Sequence, residues 1–166
     1  MNVRLASVND IEGIARVHVD SWKSTYHGIL PDTVLANISI ETRINNWKLI
    51  LNNLHQDEVI YIIEDDSGNI VGFVHGGKCR EMEYDFELYA LYLLKTAQGN
   101  GYGKLLFNKI VQTLQQRNYQ SLMLWVLEEN PSIYFYKRLG GQYITKKEIK
   151  IGEVKFTEIA LGWNRG

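Results

Sequence analysis

The run Gln98-Gly99-Asn100-Gly101-Tyr102-Gly103-Lys104 carries the most chemical information in the chain. Glycines on alternate positions let a backbone turn sharply and present its N–H groups to a ligand with no Cβ atoms in the way. The run stands between an apolar stretch, Glu87 to Leu94, that reads as a strand, and an amphipathic one, Lys104 to Leu114, that reads as a helix. Where a helix begins, free N–H groups and the positive end of the helix dipole form a receptor for phosphate or pyrophosphate. Spacing narrows the choice of ligand. A Walker loop would need glycine at Gln98 and Ser or Thr at Leu105, and the dinucleotide fingerprint would need its third glycine at Lys104, so both fail. The pattern present is Gln-x-x-Gly-x-Gly, from Gln98 through Gly101 to Gly103.

A second segment, Leu124-Trp125-Val126-Leu127-Glu128-Glu129-Asn130-Pro131-Ser132-Ile133-Tyr134-Phe135-Tyr136, continues to Leu139-Gly140-Gly141. It reads as a strand, an Asn cap, a proline at the first helical position, a short helix and a terminating glycine. In this order and at this separation, the two segments resemble the cofactor motifs of the GCN5-related N-acetyltransferase family. The stretch Asp20 to Pro31 is similar to the N-terminal motif of a common bacterial branch of that family, so the resemblance covers nearly the whole chain.

The elements needed to position these motifs can be read in outline. Val3 to Ala6 is a short strand, and Ser7 with Asp10 resembles a capping box that opens a helix with Ile11, Ile14, Ala15, Val17 and Trp22 on its apolar positions. Pro31 to Ala36 forms a helical turn. Ser39 caps a second helix, with Ile44, Trp47, Ile50, Leu51 and Leu54 on one face. Glu58 to Glu64 and Ile70 to Gly77 read as a hairpin across Asp65-Asp66-Ser67-Gly68-Asn69. A central strand runs from Phe86 to Leu94, a helix from Gly101 to Arg117, a buried strand from Ser121 to Leu127, and a helix from Pro131 to Leu139. Strands from Gln142 to Ile151 and Glu153 to Leu161 close the chain. The expected fold is α/β: a mixed, twisted sheet of about seven strands with helices on both faces, in one domain over residues 1–166.

Composition sets bounds on function. The 166 residues are 45% hydrophobic and 22% charged with net charge −1, which gives no reason to expect nucleic acid or a membrane as partner. The single Cys79 excludes an internal disulfide, and four scattered histidines with one cysteine give no metal-ligand spacing. The N-terminus lacks a signal-peptide core, so a cytoplasmic location is expected. Edge strands and the C-terminal hairpin raise the prospect of a homodimer.

The resemblance implies an activity: transfer of an acetyl group from acetyl-CoA to an amine by direct attack in a ternary complex. It implies that main-chain groups of Leu91, Tyr92 and Leu93 pair with the pantetheine arm, and that Gln98, Gly99, Asn100, Gly101, Tyr102, Gly103 and Lys104 cradle the pyrophosphate. It also implies that Asn130 bonds the cofactor arm and that Tyr136 protonates the departing sulfur. Asn130 to Tyr136 spans six residues where many members have seven. Glu87 is the expected base, with a solvated carboxylate at a strand start as its alternative. Tyr26 and His27 are expected to contact substrate, while Trp22 and Trp47 read as packing. His18 and His75 read as structural. The family's ribosomal-protein acetylators carry a Glu where this chain has Trp125, so a small-molecule amine is the expected acceptor. A peptide or protein amine, or a non-catalytic CoA-binding sensor, are the alternatives.

Overall fold

The computed structural model describes residues 2–164. A seven-stranded sheet runs in the order β1-β2-β3-β4-β5-β7-β6. Its strands are β1 (Asn2–Leu5), β2 (Val59–Glu64), β3 (Ile70–Gly77), β4 (Phe86–Leu93), β5 (Ser121–Leu127), β6 (Gln142–Ile151) and β7 (Val154–Asn164). The helices are α1 (Ile11–Tyr26), α2 (Asp32–Ala36), α3 (Ile40–Asn52), α4 (Tyr102–Gln116) and α5 (Ser132–Arg138). Every neighbouring pair of strands is antiparallel except β4–β5. A parallel pair needs a crossover, and α4 supplies it.

The sheet is covered on both faces, which explains why β2 reads as an unbroken apolar run. Val59, Tyr61 and Ile63 of β2 face a core shared with Leu106 and Ile110 of α4. Ile60 and Ile62 face the opposite way, onto Ile14 and Val17 of α1 and Trp47 of α3. A third cluster joins Tyr26, Leu30 and Leu35, around the α1–α2 connection, to Leu127 of β5 and Phe156 of β7. It seats the end of α1 against the β6–β7 hairpin. Among the described residues, no helix is long and apolar enough to cross a membrane.

The capping box forms as the sequence suggests. The Ser7 amide donates to the Asp10 carboxylate at 2.8 Å, and the Asn9 amide donates to Ser7 Oγ at 3.3 Å. Asp10 also accepts two bonds from the Arg4 guanidinium, at 2.8 and 2.9 Å. The Arg4 hydrogen bonds hold its carboxyl below the usual range against the opposing effect of burial. One element has no counterpart in the sequence pattern: a 3-10 turn over Lys95–Ala97, between β4 and the glycine loop. The buried Ala97 folds it inward, and its amide donates to Leu94 O at 2.8 Å.

Asp10→Ala removes the cap and leaves Arg4 without one of its two carboxylates. We expect a loss of about 2 kcal/mol or more in urea unfolding at pH 7. Because the folded pKa lies below the unfolded one, Asp10 stabilises fully above the unfolded value near ~3.9 and loses that contribution as pH falls through the folded pKa. The difference between wild type and variant therefore shrinks in acid.

Candidate active site

Strands β4 and β5 pair only at Phe86↔Leu122 and Glu87↔Met123, then separate. Each is held by its other neighbour. β5 pairs with β7 along its whole length, from Ser121↔Asn164 to Leu127↔Glu158. β4 stays with β3, where His75 faces Ala90 and Gly76 faces Leu88, so Tyr89 is an extra residue on β4. Such a bulge bends its strand and sharpens the twist. Gly76 makes the bend possible, because a Cβ there would lie 2.5 Å from the Phe86 ring and 2.9 Å from Glu87 O.

The gap opens into a cavity of about 240 Å3, lined by both strands and by α1, α5, β6 and β7. Leu91 and Tyr92 lie on its β4 wall. Leu93, at the end of β4, has its carbonyl engaged by Ser21 Oγ at 3.1 Å and by Gln98 Nε2 at 3.5 Å.

The glycine loop stands at the start of α4. Gly99 and Gly101 have φ of 82° and 80°, in the left-handed region that favours glycine. A Cβ on either would meet no protein atom within 4 Å, so the space above them is open. Gly103 serves a different end: a Cβ there would press to 3.2 Å from the Phe135 ring and 3.4 Å from Leu93, so its absence lets α4 approach both. Asn100 Nδ2 donates to Ala97 O at 3.2 Å and braces the loop. Gly101 gives α4 no side-chain cap. Among the described residues, the first amide of α4 to find a main-chain acceptor is that of Leu105, which donates to Gly101 O at 3.1 Å. The amides of Tyr102, Gly103 and Lys104 are the free donors of an uncapped helix. This arrangement fits a pyrophosphate.

Three tyrosines meet around the cavity. Tyr136 of α5 is 6% exposed, and burial raises its pKa well above the usual phenol range. Among the described residues its hydroxyl has no hydrogen-bond partner, and the side chain lines the cavity. Burial likewise raises Tyr26 and Tyr92. Tyr92 OH accepts from Trp22 Nε1 at 2.9 Å, and Tyr26 OH accepts from Asn130 Nδ2 at 3.1 Å. Asn130 Oδ1 in turn accepts from the Ser132 amide at 2.9 Å, which caps the start of α5. Two of the polar capacities expected to serve a ligand are therefore used within the protein.

The two tryptophans, alike in sequence context, have different fates. Trp47 is 3% exposed in the core, and its Nε1 donates to His18 Nδ1 at 3.2 Å. Trp22 is half-buried and lines the cavity beside Tyr26, with ring centroids 4.8 Å apart. Burial pulls His18 down to about 4, so it is neutral at physiological pH. His75 Nε2 pairs with Glu58 at 2.8 Å. Tyr26 lines the cavity as expected for substrate contact, but His27 does not: it is exposed where α1 ends.

Glu87 requires a correction. Its side chain is 1% exposed and is not among the lining residues. Oε1 accepts from the Arg80 amide at 3.0 Å and from its Nε at 3.3 Å, while Oε2 accepts from Nη2 at 2.7 Å. A carboxylate with both oxygens bound to a guanidinium is a poor base. It anchors the connection between β3 and β4 instead, and Arg80 lies 4.5 Å above the Tyr89 ring. The carboxylate that does line the cavity is Glu158 of β7. Its parity is legible in the sequence, since it alternates with Phe156 and Ala160, both buried, but the family resemblance points to β4.

The acetyltransferase (GNAT) family model matches residues 19–141, and the chain belongs to that family. It is 36% identical over 165 residues to an uncharacterized N-acetyltransferase, YuaI, of Bacillus subtilis, covering 98% of this chain and 92% of that one. Its fold is similar to that of PaiA N-acetyltransferase from Thermoplasma acidophilum in complex with coenzyme A, with TM-score 0.75, 22% identity and 98% of each chain covered. It is also similar to a ribosomal-protein-alanine N-acetyltransferase from Brucella melitensis, with TM-score 0.75, 18% identity and 99% of each chain covered.

Gly101→Val forces a branched residue into a left-handed conformation, at about 1–2 kcal/mol, and projects a side chain into the open space of the cradle. Calorimetry should show coenzyme A affinity falling at least about tenfold, with the far-UV spectrum unchanged; unaltered affinity would refute the cradle. Glu87→Gln should lower stability by about 1–2 kcal/mol through the weakened Arg80 anchor. The shape of the variant's pH–rate profile should match that of wild type.

Proposed function

We propose that this protein transfers the acetyl group of acetyl-CoA to a primary amine of a small molecule, within a ternary complex. The observation that carries the reading is the position of Tyr136. Its hydroxyl is without a partner among the described residues and borders a cavity that lies between the parted strands and reaches the aromatic wall of α1.

When bound, acetyl-CoA supplies a thioester carbonyl to an attacking nitrogen. The amides of Tyr102, Gly103 and Lys104 bind its pyrophosphate, and the unpaired edge of β4 receives its arm as a further strand would be received. Tyr136 donates a hydrogen bond to the departing sulfur. Its raised pKa keeps the phenol protonated at neutral pH. A thiol titrates near ~8.5, well below this phenol, so the phenol stabilises the leaving thiolate as a hydrogen-bond donor and keeps its own proton, while the proton lost by the acylated nitrogen passes to water. Trp22 and Tyr26 shape the acceptor wall, and Asn130 holds Tyr26 in place.

The size of the site supports a small acceptor over an extended peptide. The cavity is about 240 Å3, and Tyr26, which lines it, is packed with Leu30 and Leu35 onto Leu127 and Phe156. Trp125 also occupies the position where ribosomal-protein acetylators of the family carry a Glu.

A thiol-release screen of amines, amino acids and peptides with acetyl-CoA tests the reading. Tyr136→Phe should lower kcat by roughly tenfold to a thousandfold while coenzyme A affinity barely moves. Equal turnover would remove Tyr136 from the mechanism, and no thiol release with any acceptor would leave a CoA-binding module.

A further inference from the structure

Glu158 is the one charged side chain among the described residues that line the cavity. It lies on β7 opposite Leu127, with its side chain 22% exposed. Among the described residues its carboxylate accepts no hydrogen bond from a side chain. Lys147 of β6, directly across the ladder, is the nearest cation, and its Nζ stays 3.9 Å away. That ammonium is engaged elsewhere: it lies 2.5 Å from Glu81 Oε2 and 4.2 Å above the Trp125 ring. The other nearby cation, Arg80, is bound to Glu87. Lys147 thus gives Glu158 a long ion pair and no hydrogen bond, which leaves the carboxylate oxygens able to accept hydrogen bonds from a cation in the cavity.

The walls around it are apolar or aromatic. Trp22, Tyr26 and Tyr92 stand on one side, with Trp125, Leu127 and Ile149 on the other. The tyrosines are neutral, so Glu158 is the charged group that the lining offers a ligand. Aromatic faces and one carboxylate suit a monocation carried on an apolar body.

We infer, resting on the transferase reading above, that Glu158 receives the ammonium of a monocationic, apolar-bodied amine and accepts its proton before attack. The step is balanced: one N–H bond breaks and leaves its electron pair on nitrogen, an O–H bond forms on Glu158, and that proton later passes to water. An alkylammonium titrates near ~10, so at pH 7 only about one molecule in a thousand is neutral, and some group must take this proton. Burial raises the Glu158 pKa, Lys147 and Arg80 lower it, and Glu81 and Glu87 raise it. Tyr26, facing it from α1, feels the Glu158 charge in return. A raised pKa brings the carboxylate closer to that of the amine and makes it a better base.

The test uses the chain loaded with coenzyme A and three probes of one shape: phenethylammonium, 2-phenylethanol and phenylalanine. By calorimetry at pH 7, phenethylammonium should bind at least about tenfold more tightly than the alcohol. Phenylalanine, which adds a carboxylate beside Glu158, should bind more weakly than phenethylammonium. Glu158→Gln should erase the preference for amine over alcohol and leave coenzyme A affinity unchanged. Failure of all three probes to bind, equal amine and alcohol affinities, phenylalanine binding as tightly as the amine, or a preference surviving in the variant would each overturn the inference. The transferase reading falls separately, by loss of coenzyme A binding or of thiol release.

A stability measurement excludes a merely structural role. Because the folded pKa is raised, the fold loses stability as pH rises from the unfolded value through the folded one. Glu158→Gln should therefore match or exceed the wild-type Tm at pH 7, with the two converging below about pH 4, where both folded and unfolded carboxyls are protonated. A variant clearly less stable at pH 7 would mark Glu158 as structural and overturn the assignment.

Discussion

The parting of β4 from β5 after two residue pairs is the constraint from which the rest of the site follows. Neither strand is free to close the gap. β5 is tied along its length to β7, and β4 is turned away by the bulge at Tyr89, where Gly76 admits the Phe86 ring. Closing the ladder would mean breaking one of these pairings. Main-chain groups along the open edge of β4 thus remain without a strand partner in the middle of a sheet. Such groups demand hydrogen bonds from something else, and an extended, amide-bearing ligand meets that demand better than scattered water.

A single side chain couples the two ends of this gap. Asn130 caps α5 through the Ser132 amide and grips the Tyr26 hydroxyl at the end of α1. α5 carries Tyr136, and the end of α1 carries Trp22 and Tyr26. The distance between these two walls of the cavity is therefore set by one buried amide, 5% exposed, rather than by two loops moving independently. Gly103 does the same for the other end, since its missing Cβ lets α4 sit against Phe135, the residue preceding Tyr136. The anion cradle and the phenol thus share a short, rigid path.

Much of this arrangement is legible in the sequence. Strand and helix positions follow from periodicity and caps: β3, β5 and β6 begin and end where the pattern places β-type residues between turn signals, and Ser7, Ser39 and Asn130 cap as their types suggest. Spacing excludes two other phosphate loops for the glycine run, and the Asn130–Tyr136 segment downstream supports the family pattern. Pairings between distant residues are not legible in this way. Glu87 is read as a base on the family resemblance of its strand, while the Arg80 that claims both its oxygens lies in a loop whose path no periodicity predicts. Trp22 and Trp47 both occupy apolar helical positions. Only the packing of α1 over the gap, and of α3 over intact sheet, separates a cavity wall from a core residue.

The glycine loop and the cavity differ in potential, and this separation has a consequence for the proposed function. The uncapped start of α4 offers partial positive charge and free amides. The cavity lining holds one carboxylate and neutral phenols, while Arg80 and Lys147 are engaged by Glu87 and Glu81. Were Lys147 to close from 3.9 Å to hydrogen-bonding distance, it would occupy the Glu158 oxygens. Were Glu158 nearer α4, it would repel a bound pyrophosphate. In the proposed reaction, an anionic carrier held at α4 and a cationic amine held near Glu158 would therefore not compete for the same field.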